Sequence, residues 1–278
     1  MKKMKLMSLA AALLLLCGCA ARPVEGVIGG ADGPTAVIVG ETVKENEGES
    51  ESVILTCRVV AEEDGALTLA ELGGNGVYTL NTSGIEVLWE RGDGEREIEE
   101  GSLIDIVYSG VCAECWPMIP GGVTEIRVRA DGFDDMCAMY LDVLEDLWEE
   151  DAGLNGEAEY VSVYLKETSL SPSEQAAVAW LFGGECGVFN VLELSLDELH
   201  EQGYITEEEN GFTHWKEGVY FAITEEEMEG IYNGVVPVQF DAWKWRSSLG
   251  AYFFSDCTSA RNGMGEWSDY QVGMHMIS

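Results

Sequence analysis

Apolar and polar positions change rhythm three times along this 278-residue chain. A mostly apolar run over residues 6–16 follows lysines at Lys2, Lys3 and Lys5. Its 11 positions are too few for a bilayer-spanning helix, which needs about 20. Residues 20–52 are turn-rich and then acidic, and read as a tether. From residue 53 the apolar residues fall into short β-prone runs over 53–60, 66–72, 77–80, 85–89, 103–108 and 123–128. Glycine turns separate them, among them Gly73-Gly74-Asn75-Gly76, together with a charged loop over 91–101. Five or six short strands so joined predict a small OB-like β-barrel.

Past residue 133 the period lengthens. Met136, Met139, Tyr140, Val143, Leu144, Leu147 and Trp148 share one face of a helix predicted over 134–150. A strand follows over 160–165. Ser171-Pro172-Ser173-Glu174 opens a second helix, predicted to run to about Phe182 and stop at Gly183-Gly184. After a strand over 188–192, Ser195-Leu196-Asp197-Glu198 is a capping box for a short helix ending near Gly203. Runs over 218–223, 235–245, 249–256 and 267–276 predict an antiparallel meander. The fold class is therefore α+β. A signal segment covers 1–18 and a tether 19–52. The OB-like domain covers 53–130, and a domain of helices packed on an antiparallel sheet covers 133–278.

Charge narrows the partners. The chain carries 15 basic and 51 acidic residues, a net charge of −36. Loss of residues 1–18 removes three lysines and no acid, leaving a charge of −39. Such a body repels nucleic acid, whose phosphates are bound through Lys and Arg, and it repels anionic headgroups. It stays soluble and monomeric, and can attract cations or basic peptides.

The lysines, the apolar run and a small-residue end form a secretory signal. Leu16-Cys17-Gly18-Cys19 resembles the lipobox of bacterial lipoproteins. The resemblance implies cleavage before Cys19 and acyl chains of the palmitate class on its sulfur and new amino end. The body would then be lipid-anchored on the extracytoplasmic face of the cell membrane. Val107-Tyr108-Ser109-Gly110 through Glu114-Cys115-Trp116-Pro117 resembles a segment of uncharacterised bacterial lipoproteins with an OB-like domain. Gly29-Gly30-Ala31-Asp32-Gly33-Pro34-Thr35 resembles the GGADGPT segment of sodium-pumping decarboxylase β subunits. Those subunits are multi-helical, whereas this segment sits beside water in a turn-rich tether.

Beyond Cys17 and Cys19, six cysteines remain: Cys57, Cys112, Cys115, Cys137, Cys186 and Cys257. They allow 15 pairings, and the sequence chooses none. Cys112-Ala113-Glu114-Cys115 is a candidate disulfide or redox pair. The prolines and glycines after it do not form the helix that activates such a thiol. A zinc site would need further ligands, and His200, His214 and His275 are scattered. Trp243 and Trp245 share one strand face, and with Tyr252 they form a candidate platform for a peptide or sugar, or else core. Lys244 and Arg246 point the other way. No Gly-x-Ser-x-Gly elbow and no nucleophile–base pair is legible. The reading is a non-enzymatic, lipid-anchored binding or interaction module with no metal or cofactor. An exported thiol–disulfide redox protein is the alternative, and a cation-binding surface module is a third.

Overall fold

The computed structural model describes residues 52–91, 97–226 and 236–278, which lie in one compact unit. The signal segment, the tether, Cys19, the segment 29–35 and residues 92–96 of the charged loop lie outside the described residues. So do residues 227–235.

The first sheet comprises β1 (Val53–Glu63), β2 (Ala66–Glu71), β3 (Val77–Asn81), β4 (Glu86–Trp89), β5 (Leu103–Tyr108) and, after a small hairpin of β6 (Cys112–Ala113) and β7 (Ile119–Pro120), β8 (Glu125–Val128). Its order is β3-β2-β1-β5-β8-β4, and every pairing is antiparallel except β4 with β8. Asp64 and Gly65 both have positive φ, 50° and 82°, which suits the tight turn between β1 and β2. The sheet is not hydrogen-bonded into a closed barrel, because β3 and β4 are its edges. Alternate residues fill one core, among them Leu55, Cys57, Val59, Leu69, Ile104, Ile106 and Ile126.

The rest of the body follows as α1 (Met136–Glu149), β9 (Tyr160–Glu167), α2 (Pro172–Glu185), β10 (Asn190–Leu192), α3 (Leu196–Glu201), β11 (Thr206–Glu207), β12 (Thr213–His214), β13 (Gly218–Glu226), β14 (Val236–Ser247), β15 (Gly250–Arg261) and β16 (Met274–Ile277). The meander β13 to β16 is antiparallel. The sheet as a whole is mixed, however, because β9 pairs parallel with both β10 and β13. Between β9 and β10 the crossover is α2, which returns the chain in the same direction, and β13 is reached after a longer excursion through α3, β11 and β12. The molecule is thus α+β with a parallel flank on its second sheet.

Both helix starts predicted from sequence are capping boxes. Ser171 and Ser195 accept from the backbone N–H of Glu174 and Glu198, whose carboxylates accept in return from the N-cap N–H. The expected stop at Gly183-Gly184 is not observed. A Cβ on Gly183 would come within 2.3 Å of Val191 Cγ2, so this glycine permits close packing on β10 and the helix continues. It ends at Glu185, and just beyond it Gly187, with φ 69°, and Val188 donate to the carbonyls of Gly184 and Gly183. The last strand begins seven residues later than predicted. Upstream of it, Trp267 and Gln271 meet β15 only in isolated bridges with Arg261 and Thr258, and Asp134 and Asp135 accept from the Trp267 indole and backbone N–H groups, each at 2.8 Å.

One core joins the helices to both sheets. Tyr140, Val143, Leu144, Leu147 and Phe182 pack with Val163, Phe221 and Phe240 of the second sheet, and with Val60, Ala70 and Val77 of the first. Ser173, fully buried, donates to the Glu71 carbonyl at 2.8 Å and docks the start of α2 on β2.

The far end of α1 poses an electrostatic problem. Glu145, Asp146, Glu149, Glu150 and Asp151 crowd the negative end of the helix dipole, and the last turn contains no basic residue. Lys244 supplies the missing charge from the sheet below. It is fully buried, and its Nζ donates to the carbonyls of Trp148 (3.4 Å), Asp151 (3.3 Å) and Glu150, and to Asn155 Oδ1 (3.2 Å). Burial pulls its pKa down to about 8, against the opposing pull of Asp151 and Glu150. Lys244→Met leaves this cluster of carbonyls without a donor, and we expect it to lower unfolding stability by about 3 kcal/mol or more. Urea titration checks this, with Lys166→Met, on a half-exposed side chain, as the control expected within about 0.5 kcal/mol of the parent.

Candidate functional site

A cavity of about 480 Å³ lies where the helix starts meet the hairpin β13–β14. Its wall draws on β1 (Arg58), the residue after β2 (Leu72), the entry to α1 (Asp134, Met136, Cys137), the entry to α2 (Ser169, Leu170, Glu174) and the second sheet (Glu225, Val238, Arg261), together with Trp267. Its size falls within the range of about 300–1,000 Å³ usual for small-molecule sites.

Polar groups converge on the cavity in an ordered network. Arg58 Nε pairs with Glu174 at 3.2 Å, while its Nη1 donates to the Gly101 carbonyl at 3.0 Å and to that of Gly132. Arg261 pairs with Asp134 at 3.3 Å and donates to the Phe133 carbonyl at 2.7 Å. Asp134 also accepts from the Trp267 indole. Glu225 Oε1 gathers three donors: the Tyr140 hydroxyl (2.7 Å), the Ser169 N–H (2.8 Å) and the Ser169 hydroxyl (2.9 Å). Cys137 lies beneath, buried beside Glu174, and burial first and Glu174 second push its thiol well up, which holds it in the protonated form. Three carboxylates and two guanidiniums, most of them tied to one another or to backbone, form a rigid polar rim around an apolar floor.

The residues singled out from sequence lie elsewhere. Cys112 and Cys115 sit in the β6–β7 hairpin, Cys112 partly buried and Cys115 exposed, and all six cysteines are free thiols. Cys115 Sγ lies 3.1 Å from the Pro117 carbonyl. No helix begins beside the pair, and burial pushes the Cys112 thiol up. Trp243 and Trp245 lie half-buried on the face of the second sheet away from α1 and α2. There they pack beside Leu199, Trp215 and Tyr220 in a separate cluster with α3. Tyr252 does not join them. It is register-paired with Lys244 and faces the helix side, and the ring stacked on Trp243 is Phe253, at 5.7 Å and 14°. Lys244 and Arg246 do point opposite to the tryptophans, as read from the strand period, but they point into the protein.

Among the described residues, no group of three His, Cys, Asp or Glu side chains is arranged to hold a metal ion, and no helix is long and apolar enough to cross a membrane. No protein-family model, curated protein or solved structure matches the chain.

The carboxylate–phenol pairs define a pH dependence. Tyr140 donates to Glu225, and Tyr270 to Asp146 at 2.5 Å; burial first, and then those carboxylates, push both phenols above the ordinary value of about 10. Above that pH the unfolded chain has released protons that the folded chain still holds, so stability is lost as pH rises. We expect the urea midpoint to fall between about pH 9 and pH 11, with tyrosinate absorbance rising at the unfolding transition. Tyr140→Phe should flatten that fall.

Proposed function

We propose that this chain is a lipid-anchored, extracytoplasmic binding module that holds a small ligand with an apolar body and a polar group. The single observation that carries the binding half is the cavity, whose charged rim is held in place by its own ion pairs and by backbone carbonyls. The three carboxylates of this rim are each already engaged by an arginine, a tyrosine or a serine, which suits them to orient a ligand, and we read the module as non-enzymatic. The anchor half rests on the sequence of residues 1–19, with Cys19 as the lipid attachment point. The acidic surface argues for a monomer held at the membrane by lipid alone.

The first sheet supports an OB-like reading of its domain. In the order β3-β2-β1-β5-β8-β4 the two edge strands are consecutive in sequence, joined only through residues 82–85. Taken as one bent strand, β3 and β4 turn this order into a ring of five, the strand number of a partly open OB barrel.

Two measurements test the two halves. Metabolic labelling with palmitate should mark the parent protein and leave Cys19→Ala unmarked; equal labelling sinks the anchor. Leu72 is half-exposed at the cavity rim, so Leu72→Trp should obstruct the cavity without unfolding the body. Native mass spectrometry of protein drawn gently from its own cells should reveal a small bound mass on the parent and none on Leu72→Trp. A bare parent, or the same adduct on both, sinks the cavity.

A further inference from the structure

The second sheet ends in a strand without the usual protection of an edge. β16 reads Met274-His275-Met276-Ile277, all four residues are exposed, and Ile277 is 72% exposed. Among the described residues it pairs on one side only, with β15. Natural edges are blunted by lysine, proline, a bulge or an inward charge, and β16 has none of these. It is also well fixed. The His275 ring lies against Tyr252 and Phe254, with Nδ1 3.2 Å from the Tyr252 hydroxyl.

The register says which backbone groups are open. Ser278 N–H donates to the Ala251 carbonyl at 3.0 Å, and Ala251 N–H donates back at 3.5 Å, so this pair exchanges both bonds. In an antiparallel ladder such pairs alternate. Met276 and Met274 therefore turn their N–H and C=O groups toward β15, and His275 and Ile277 turn theirs toward the open edge. On the face away from α1 and α2, Trp243, Phe253 and Met276 are register neighbours on three successive strands. A strand added beside β16 would extend that apolar row.

Charge selects the occupant. At the Ile277 end, the paired Tyr252 lies beside Glu150 and Asp151. At the Met274 end, Asp256 follows the paired Ser255 on β15 and donates its N–H to Asp241 at 2.9 Å. Four residues with no acidic side chain thus lie between two acidic pairs. A second copy would bring its own acids to the same place, on a chain of net charge −36, and so is disfavoured. We propose that β16 is a docking edge for an extended peptide of a partner protein, with a short apolar, strand-forming core flanked on both sides by Lys or Arg. It would bind by strand addition, with the open groups of His275 and Ile277 forming the new ladder. The site shares no residue with the cavity lining, so it stands or falls separately from the small-ligand reading.

The probe is a fluorescent synthetic peptide with a Val-Ile-Val-Ile core between paired lysines, followed by anisotropy on the full chain. Saturable binding to the parent is expected, with at least a tenfold loss for Ile277→Pro. That substitution removes an outward donor and leaves the β15 ladder untouched. The same peptide N-methylated along its backbone, or with glutamates for lysines, should not bind the parent; these arms hold even if the proline variant misfolds. No binding by the lysine peptide overturns the proposal. So does equal binding by the N-methylated peptide, which would mean ionic adsorption. A dimer of the parent abolished by Ile277→Pro would overturn it in favour of a second copy.

Discussion

Lys244 holds the end of α1, and the architecture turns on that contact. A helix whose last turn carries acids and no base has its dipole and its charged side chains opposed to it. The ammonium beneath it is the counter-charge, and it gathers three backbone carbonyls and one amide oxygen at once. The other internal cations do the same work. Arg246 collects the carbonyls of Leu154, Gly156 and Lys216, Arg58 those of Gly101 and Gly132, and Arg261 those of Phe133 and Gly265. In a chain with 15 basic residues against 51 acids, these four are turned inward to satisfy backbone that neither helix nor sheet pairs. The acidic excess is thus a property of the surface, and these four of the scarce positive charges are structural.

That use of cations explains why the cavity exists. Arg58 and Arg261 each tie a loop before α1 to a strand, and each keeps an acid, Glu174 or Asp134, at the rim. The loops cannot collapse onto the helix starts without breaking charge-assisted bonds, which are stronger than neutral ones. The space between them is therefore held open by the same contacts that join the first sheet to the helices. Structural bonds and binding surface are here one network, so a change at Arg58 or Arg261 would disturb both.

Local chemistry was legible in the sequence and distant chemistry was not. Both capping boxes, the α1 face and the runs that become the longer strands follow from residues within a few positions of one another. Gly183-Gly184 misleads because a glycine that ends a helix and a glycine that lets Val191 approach look alike until β10 is in place. The strand period correctly opposes Lys244 to Trp243. It cannot say that the lysine's partners lie more than 85 positions upstream, at Trp148 to Asn155. Tyr252 was grouped with the tryptophans because parity across a hairpin is reversed by a bulge, which has no signal in the strand period. Ser247 pairs with Gly250, but a one-residue register shift between Trp245 and Ser247 then sets Phe253 rather than Phe254 opposite Trp243 and turns Tyr252 inward. The cavity draws residues from Arg58 to Trp267 and has no linear signature at all.

The acidic surface also bears on what an open edge can do. An exposed apolar strand is ordinarily an aggregation hazard, since any other strand can add to it. A dense negative charge changes that selection, because every copy of the same chain arrives with the same repulsion. Protection by net charge differs from protection by a lysine on the strand itself. A lysine blunts the edge toward every partner, whereas net charge excludes acidic partners and admits basic ones. An edge left bare in a strongly acidic body is therefore a selective surface, and its selectivity weakens as salt screens the field.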